Sequence, residues 1–295
     1  MELDPGAIVS RLQSVIPREF HKDLVVVGSV AAACHFAGKL AGNPINTKDA
    51  DVVVEPSGNA RACRELTQEL LGRGWEHRRE EGFSPQLSRK SKLKKPYIKL
   101  KLPGGGGFFL EFLGIPRKDE RAVKREIEIK LPDGWYAVPV FRFMRLLTTA
   151  PLTSASGLKV AAPWMMALAN LLSHPSIGTT TMSYDNRLRS AKDLGRVLAI
   201  TQLSERSEIE TWPAHWVKGL KACFPASWRR LAREVDGGLA GLFESERAMK
   251  DAIATAAGLG LLRGRNVTEE SLRATAQQLQ ALAIEPLKEE AMRRT

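Results

Sequence analysis

Residues 24–54 read "LVVVGSVAAACHFAGKLAGNPINTKDADVVV", and the two apolar runs at its ends decide the fold. Leu24–Val27 is unbroken leucine and valine, and it stops at Gly28-Ser29. That is the pattern of a buried strand closing in a tight turn. The alanine-rich segment after the turn predicts a helix. Asp49-Ala50-Asp51 then opens onto Val52–Val54, a second strand. Side chains at i and i+2 of a strand share a face, so Asp49 and Asp51 stand side by side. Like charges at that spacing resist joint ionisation. A metal ion relieves the repulsion, and so does plain exposure to water.

The chain has 295 residues, 43% hydrophobic and 26% charged, which suits a globular protein with room for two domains. No run approaches the ~20 apolar residues needed to span a bilayer. The opening "MELDPGAIVSRL" lacks the basic-then-apolar order of a signal peptide, so a cytoplasmic protein with no membrane partner is expected. Cys34, Cys63 and Cys223 are far apart and form no CxxC pair, and the five histidines add no metal spacing. Free thiols are expected, without disulfides or zinc. Net charge is +11, and residues 1–162 carry 26 basic against 18 acidic side chains. The excess is concentrated in the first half, which matters if a polyanion binds there.

Periodicity predicts a leading helix over 6–16 and an amphipathic helix over 59–72. Tyr97–Leu102 alternates Ile98, Leu100 and Leu102 with Lys99 and Lys101, a half-buried strand. Four glycines and a strand over Phe108–Leu113 complete a hairpin with a flexible tip. Those glycines precede no helix and no GK[ST], so a turn is the better reading than a phosphate loop. Further strands are expected at Trp135–Val138 and Leu158–Ala161, around an apolar helix near Val140–Leu147. Helices are expected over 163–173, 187–200, 213–222, 226–242, 246–260 and 268–294. Trp212 and Trp216 lie four apart on one helix face, where core packing explains them.

The order strand, Gly28-Ser29, helix, Asp49-Ala50-Asp51-Val52, then Glu111 in "FFLEFLG", resembles the nucleotidyltransferase superfamily with its polymerase-beta-like fold. With "GLKVAAPWMMALANLL" and "RLRSAKDLGRVLAI", residues 20–200 resemble AbiEii-type toxins and related proteins. The resemblance implies an α+β protein. A nucleotidyltransferase-like α/β domain with a mixed sheet would span 1–162, and an α-helical domain 163–295. It implies transfer of a nucleoside monophosphate from a nucleoside triphosphate to a hydroxyl, most plausibly of RNA, with tRNA a candidate. Asp49, Asp51 and Glu111 would hold Mg²⁺ or Mn²⁺ and act in catalysis. Gly28, Ser29 and Lys48 would seat the triphosphate, with Lys192 and Asp193 assisting. A toxin would also have a cognate antitoxin.

Each of these residues has a plainer reading. Glu111 lies in an apolar strand, where a carboxylate is costly unless it is metal-bound or paired with Lys99 or Lys101. Lys192-Asp193 could contact phosphate or form an ion-pair element on a helix surface. Relatives commonly carry a lysine where Asn170 stands, which opens an alternative: a catalytically degenerate protein that binds nucleic acid or a protein partner. Arg89, Lys90, Lys92, Lys94, Lys95, Lys99 and Lys101 form a basic run that would grip RNA or be a solvated loop. Tyr97 is its only aromatic residue, against the stacking surface expected of a single-strand binder.

Overall fold

The computed structural model describes residues 2–40, 45–47, 49–54, 60–78, 84–91, 94–101, 108–116, 126–177, 181 and 186–293. It divides into two compact units. One comprises Met1, Leu3–Val30 and Thr47–Ala161; the other comprises Glu2, Ala31–Asn46 and Ala162–Thr295.

A strand that is apolar on both faces belongs inside a covered sheet. Strand β1 (Leu24–Val27) takes that position, with every residue at most 2% exposed. Each such side chain contributes about 1.5–3 kcal/mol of burial. Further strands are β2 (Asp49–Val54), β3 (Glu76–His77), β4 (Lys99–Lys101), β5 (Phe109–Leu113), β6 (Glu126–Leu131), β7 (Gly134–Pro139), β8 (Leu152–Thr153) and β9 (Lys159–Val160). Seven of them form one sheet in the order β8-β9-β1-β2-β5-β4-β3. The pairs β9–β1 and β2–β5 are parallel, and the remaining pairs are antiparallel, so the sheet is mixed. Parallel pairing of β2 with β5 requires a crossover. Helix α3 (Ala60–Gly72) lies in that connection, burying Cys63, Leu66, Thr67 and Leu70. Helix α1 (Pro5–Val15) is capped by Asp4, whose carboxylate accepts from Gly6 N–H at 2.8 Å. Helix α2 (Gly28–His35) follows β1 directly.

Strands β6 and β7 make a separate hairpin. Sequence analysis names only its second strand. The first is half charged, with Glu126, Glu128 and Lys130 between Ile127, Ile129 and Leu131. That alternation, closed by the Pro132-Asp133 turn before Gly134, is nonetheless a hairpin signal. The helix expected at Val140–Leu147 is only Met144–Leu147. The glycine tip at 104–107 lies outside the described residues.

The second unit is helical: α4 (Pro163–Ile177), α5 (Arg189–Leu203), α6 (Trp212–Cys223), α7 (Trp228–Arg233), α8 (Gly237–Glu244), α9 (Glu246–Ile253), α10 (Glu269–Leu279) and α11 (Glu285–Met292). Its core includes Leu194, Val197, Leu198 and Ile200 of α5 and the fully buried Trp212 and Trp216. Trp216 Nε1 donates to the carbonyl of Trp164 at 2.8 Å, satisfying a buried indole. The single helix expected over 226–242 is two, α7 and α8, parted before Gly237-Gly238, a pair with poor helical propensity. The stretch after α9 is a wider π-type turn, Ala254–Leu259.

No helix of the described residues is long and apolar enough to cross a membrane. Cys34, Cys63 and Cys223 form no disulfide, and burial pushes the Cys63 thiol up to about 12.

Candidate functional site

The register of three strands assembles the site. Val27, the last residue of β1, pairs with Asp51 of β2. Asp51 in turn pairs with Glu111 of β5, and Glu111 with Lys99 of β4. Residues directly opposite each other project on one face, and Asp49 joins them by the two-residue period of β2. Alternation hides Ala50 and Val52 completely, while Asp49 and Asp51 are half-buried. The carboxylate oxygens of Asp49, Asp51 and Glu111 lie within 4.8 Å of one another. Three oxygen donors without histidine or cysteine are the chemistry of a hard divalent ion such as Mg²⁺ or Mn²⁺. The group can therefore hold a divalent metal.

Gly28 explains how the turn fits over these acids. Its φ is +70°, a conformation that L side chains rarely adopt, and an added Cβ would stand 2.5 Å from Asp51 Oδ2. No other residue fits there without moving Asp51. Ser29, half-buried, follows it in the first turn of α2. Thr47 Oγ1 donates to Asp49 Oδ1 at 2.7 Å and orients that carboxylate. Sequence reading missed Thr47, although its place two residues before Asp49 is a short-range signal for such a bond.

Glu111 lies between the other two carboxylates and Lys99. It belongs to the carboxylate group, and Lys99 Nζ lies 3.8 Å from its Oε2. Their side chains are 16% and 15% exposed.

The basic run divides. Lys95 is buried and its Nζ lies 2.7 Å from Glu128 Oε1, while Arg89 Nε donates to Glu128 Oε2 at 2.8 Å. These bonds hold the Glu128 carboxyl below its ordinary range, Lys95 first and Arg89 second. Lys94 lies over the Tyr97 ring at 5.1 Å. Lys90, Lys94 and Lys101 are exposed. Lys48 and Lys92 lie outside the described residues. Lys192 and Asp193 are half-buried in the first turns of α5, and Asn170 is half-buried on α4. All three belong to the helical unit.

No protein-family model and no curated protein matches the chain. Among solved structures it is similar to the Bradyrhizobium diazoefficiens CD-NTase CdnG in complex with GTP. The TM-score is 0.26 and the identity 13%, over 95% of each chain. A likeness at that score carries no argument, and the functional reading rests on the residues themselves.

Proposed function

We propose that the protein transfers a nucleoside monophosphate from a nucleoside triphosphate to an acceptor hydroxyl. The observation that carries this is the convergence of Asp49, Asp51 and Glu111 within 4.8 Å on one sheet face, against the side-chain-free turn at Gly28. Those three carboxylates would hold Mg²⁺ or Mn²⁺. When bound, the ion supplies positive charge against the charge that builds on phosphoryl oxygens. The chain's own groups seat the donor. The N–H groups at the start of α2, with the Ser29 hydroxyl, favour a triphosphate's negative charge. The acceptor oxygen bonds to the α-phosphorus, and the bond to the bridging oxygen breaks. Its electron pair leaves with pyrophosphate, and the hydroxyl proton passes to solvent. An assisting role for Lys192 and Asp193 rests on the resemblance of the motifs alone.

RNA is the acceptor class we favour, with tRNA a candidate. It is supported by the +11 net charge and the exposed Lys90, Lys94 and Lys101. The toxin-type role and an antitoxin partner rest on the resemblance of the motifs.

The second reading is a catalytically silent protein that keeps the fold to bind a partner. Asn170, in place of the usual lysine, favours it.

Thermal unfolding separates the two. A transferase site should gain about 2.7 kcal/mol from Mg²⁺ and triphosphate at a hundred times Kd, read as a rise in Tm. Asp51→Ala should abolish the rise. A wild-type protein with no such rise would favour the silent binder.

A further inference from the structure

A second charge pattern adjoins the carboxylates. Arg78 extends the pairing of β3 with β4, its N–H donating to the carbonyl of Lys99 at 2.8 Å. Arg78, Lys99, Glu111 and Asp51 therefore form one cross-strand row, two cations followed by two anions. The neighbouring row on the same face contains Lys101, Phe109 and Asp49. Phe109 is 4% exposed. The Arg78 guanidinium carbon lies 4.0 Å from its ring centroid, and Lys99 Nζ lies 5.7 Å from it.

Stacking on a buried ring orients the guanidinium fork. Arg78 is half-buried, and no carboxylate among the described residues forms an ion pair with it. An oriented fork beside three carboxylates suits an oxyanion that must lie close to the reaction without entering it. Phosphate has that geometry. The guanidinium, over Phe109 of β5, lies on the opposite side of β2 from the Gly28 turn where the donor is seated. Only the Arg78 backbone stands four strand spacings from Val27, roughly 19 Å of sheet, and its side chain reaches back to β5.

We propose that Arg78, with Lys99, binds a phosphate of the acceptor. The acceptor is then a nucleotide or a nucleic-acid end whose reactive hydroxyl lies near a phosphate, not a neutral sugar or a protein hydroxyl. This rests on the transferase reading above and narrows its acceptor. The acceptor hydroxyl oxygen bonds to the α-phosphorus, pyrophosphate leaves, and the proton goes to solvent. Arg78 takes no part in those bond changes; it holds the acceptor on the Glu111 side of the carboxylates.

The test titrates the full chain with AMP, with adenosine and with a short oligoribonucleotide bearing a 3′-hydroxyl. Mg²⁺ and a saturating triphosphate with a nitrogen α–β bridge fill the donor position and prevent transfer. AMP should bind at least about tenfold more tightly than adenosine, as a charge-assisted contact implies. Arg78→Gln should erase that preference, and Arg78→Lys should restore part of it. Tighter binding of AMP than of the oligoribonucleotide supports a free nucleotide as the source of the phosphate. The reverse order supports a nucleic-acid end. Equal binding of AMP and adenosine, or a preference that survives Arg78→Gln, overturns the proposal. Stabilisation by Mg²⁺ and triphosphate is recorded on the same samples. Its presence without a phosphate preference overturns the acceptor assignment alone. A preference without stabilisation overturns the transferase reading, and the acceptor role of Arg78 with it.

Discussion

Gly28 and Asp51 share a space that admits one side chain. Gly28→Ala puts a methyl group 2.5 Å from Asp51 Oδ2 and forces an L residue to φ +70°. The backbone cost is about 1–2 kcal/mol, to be read from chemical unfolding. The larger effect should fall on the site, where a displaced Asp51 loses the stabilisation by Mg²⁺ and triphosphate. A Gly28→Ala protein that keeps the full Tm rise would show that the turn and the carboxylate are independent. Cys63 offers a simpler check. Burial pushes its thiol up to about 12, so it should resist thiol reagents at neutral pH until the fold opens. Labelling by mass spectrometry on the native protein should mark Cys34 before Cys63.

Between elements, the ion pair of Lys95 with Glu128 joins the basic run to β6. Glu128 titrates below its ordinary 4.5 in the folded protein. A carboxyl lowered by folding contributes stability at pH above its unfolded value, and that stability is lost as pH falls through the folded one. Lys95→Met should therefore destabilise the protein by about 1–3 kcal/mol at neutral pH. It should also flatten the acid dependence below pH 4.5. Denaturant titrations at neutral and acid pH would show whether the difference between variant and wild type shrinks as expected. In the helical unit, Gly195 of α5 lets α9 approach so closely that an added Cβ would stand 2.8 Å from the carbonyl oxygen of Ala252. Gly195→Val should cost about 1–3 kcal/mol through overpacking.

The same scale explains what the chain reveals before it folds. Leu24–Val27 is legible because four apolar residues before Gly-Ser have few alternatives. Asp49, Asp51 and Glu111 are legible because acids in apolar strands need a reason to be there. Arg78 is not, because a two-residue strand carries no alternation and its partner lies 21 positions away in sequence. The basic run misleads for a related reason. Composition groups Arg89 and Lys95 with Lys90 and Lys94, whereas packing turns the first two onto Glu128.

Over the whole molecule, the proposed function would use the +11 net charge and the carboxylate group together. The cations would gather a polyanion, and the acids would hold the ion beside a triphosphate. RNA binding should weaken steeply as salt rises, because each phosphate contact releases counterions. The metal site, held by half-buried carboxylates, should be much less sensitive to salt. The most direct measurement supplies each α-labelled nucleoside triphosphate in turn, with Mg²⁺ or Mn²⁺ and total cellular RNA, to the wild-type chain and to an Asp49→Ala/Asp51→Ala variant. The account predicts label joined covalently to RNA by the wild type and none by the variant. No label from the wild type with any triphosphate, or equal label from the variant, would contradict it.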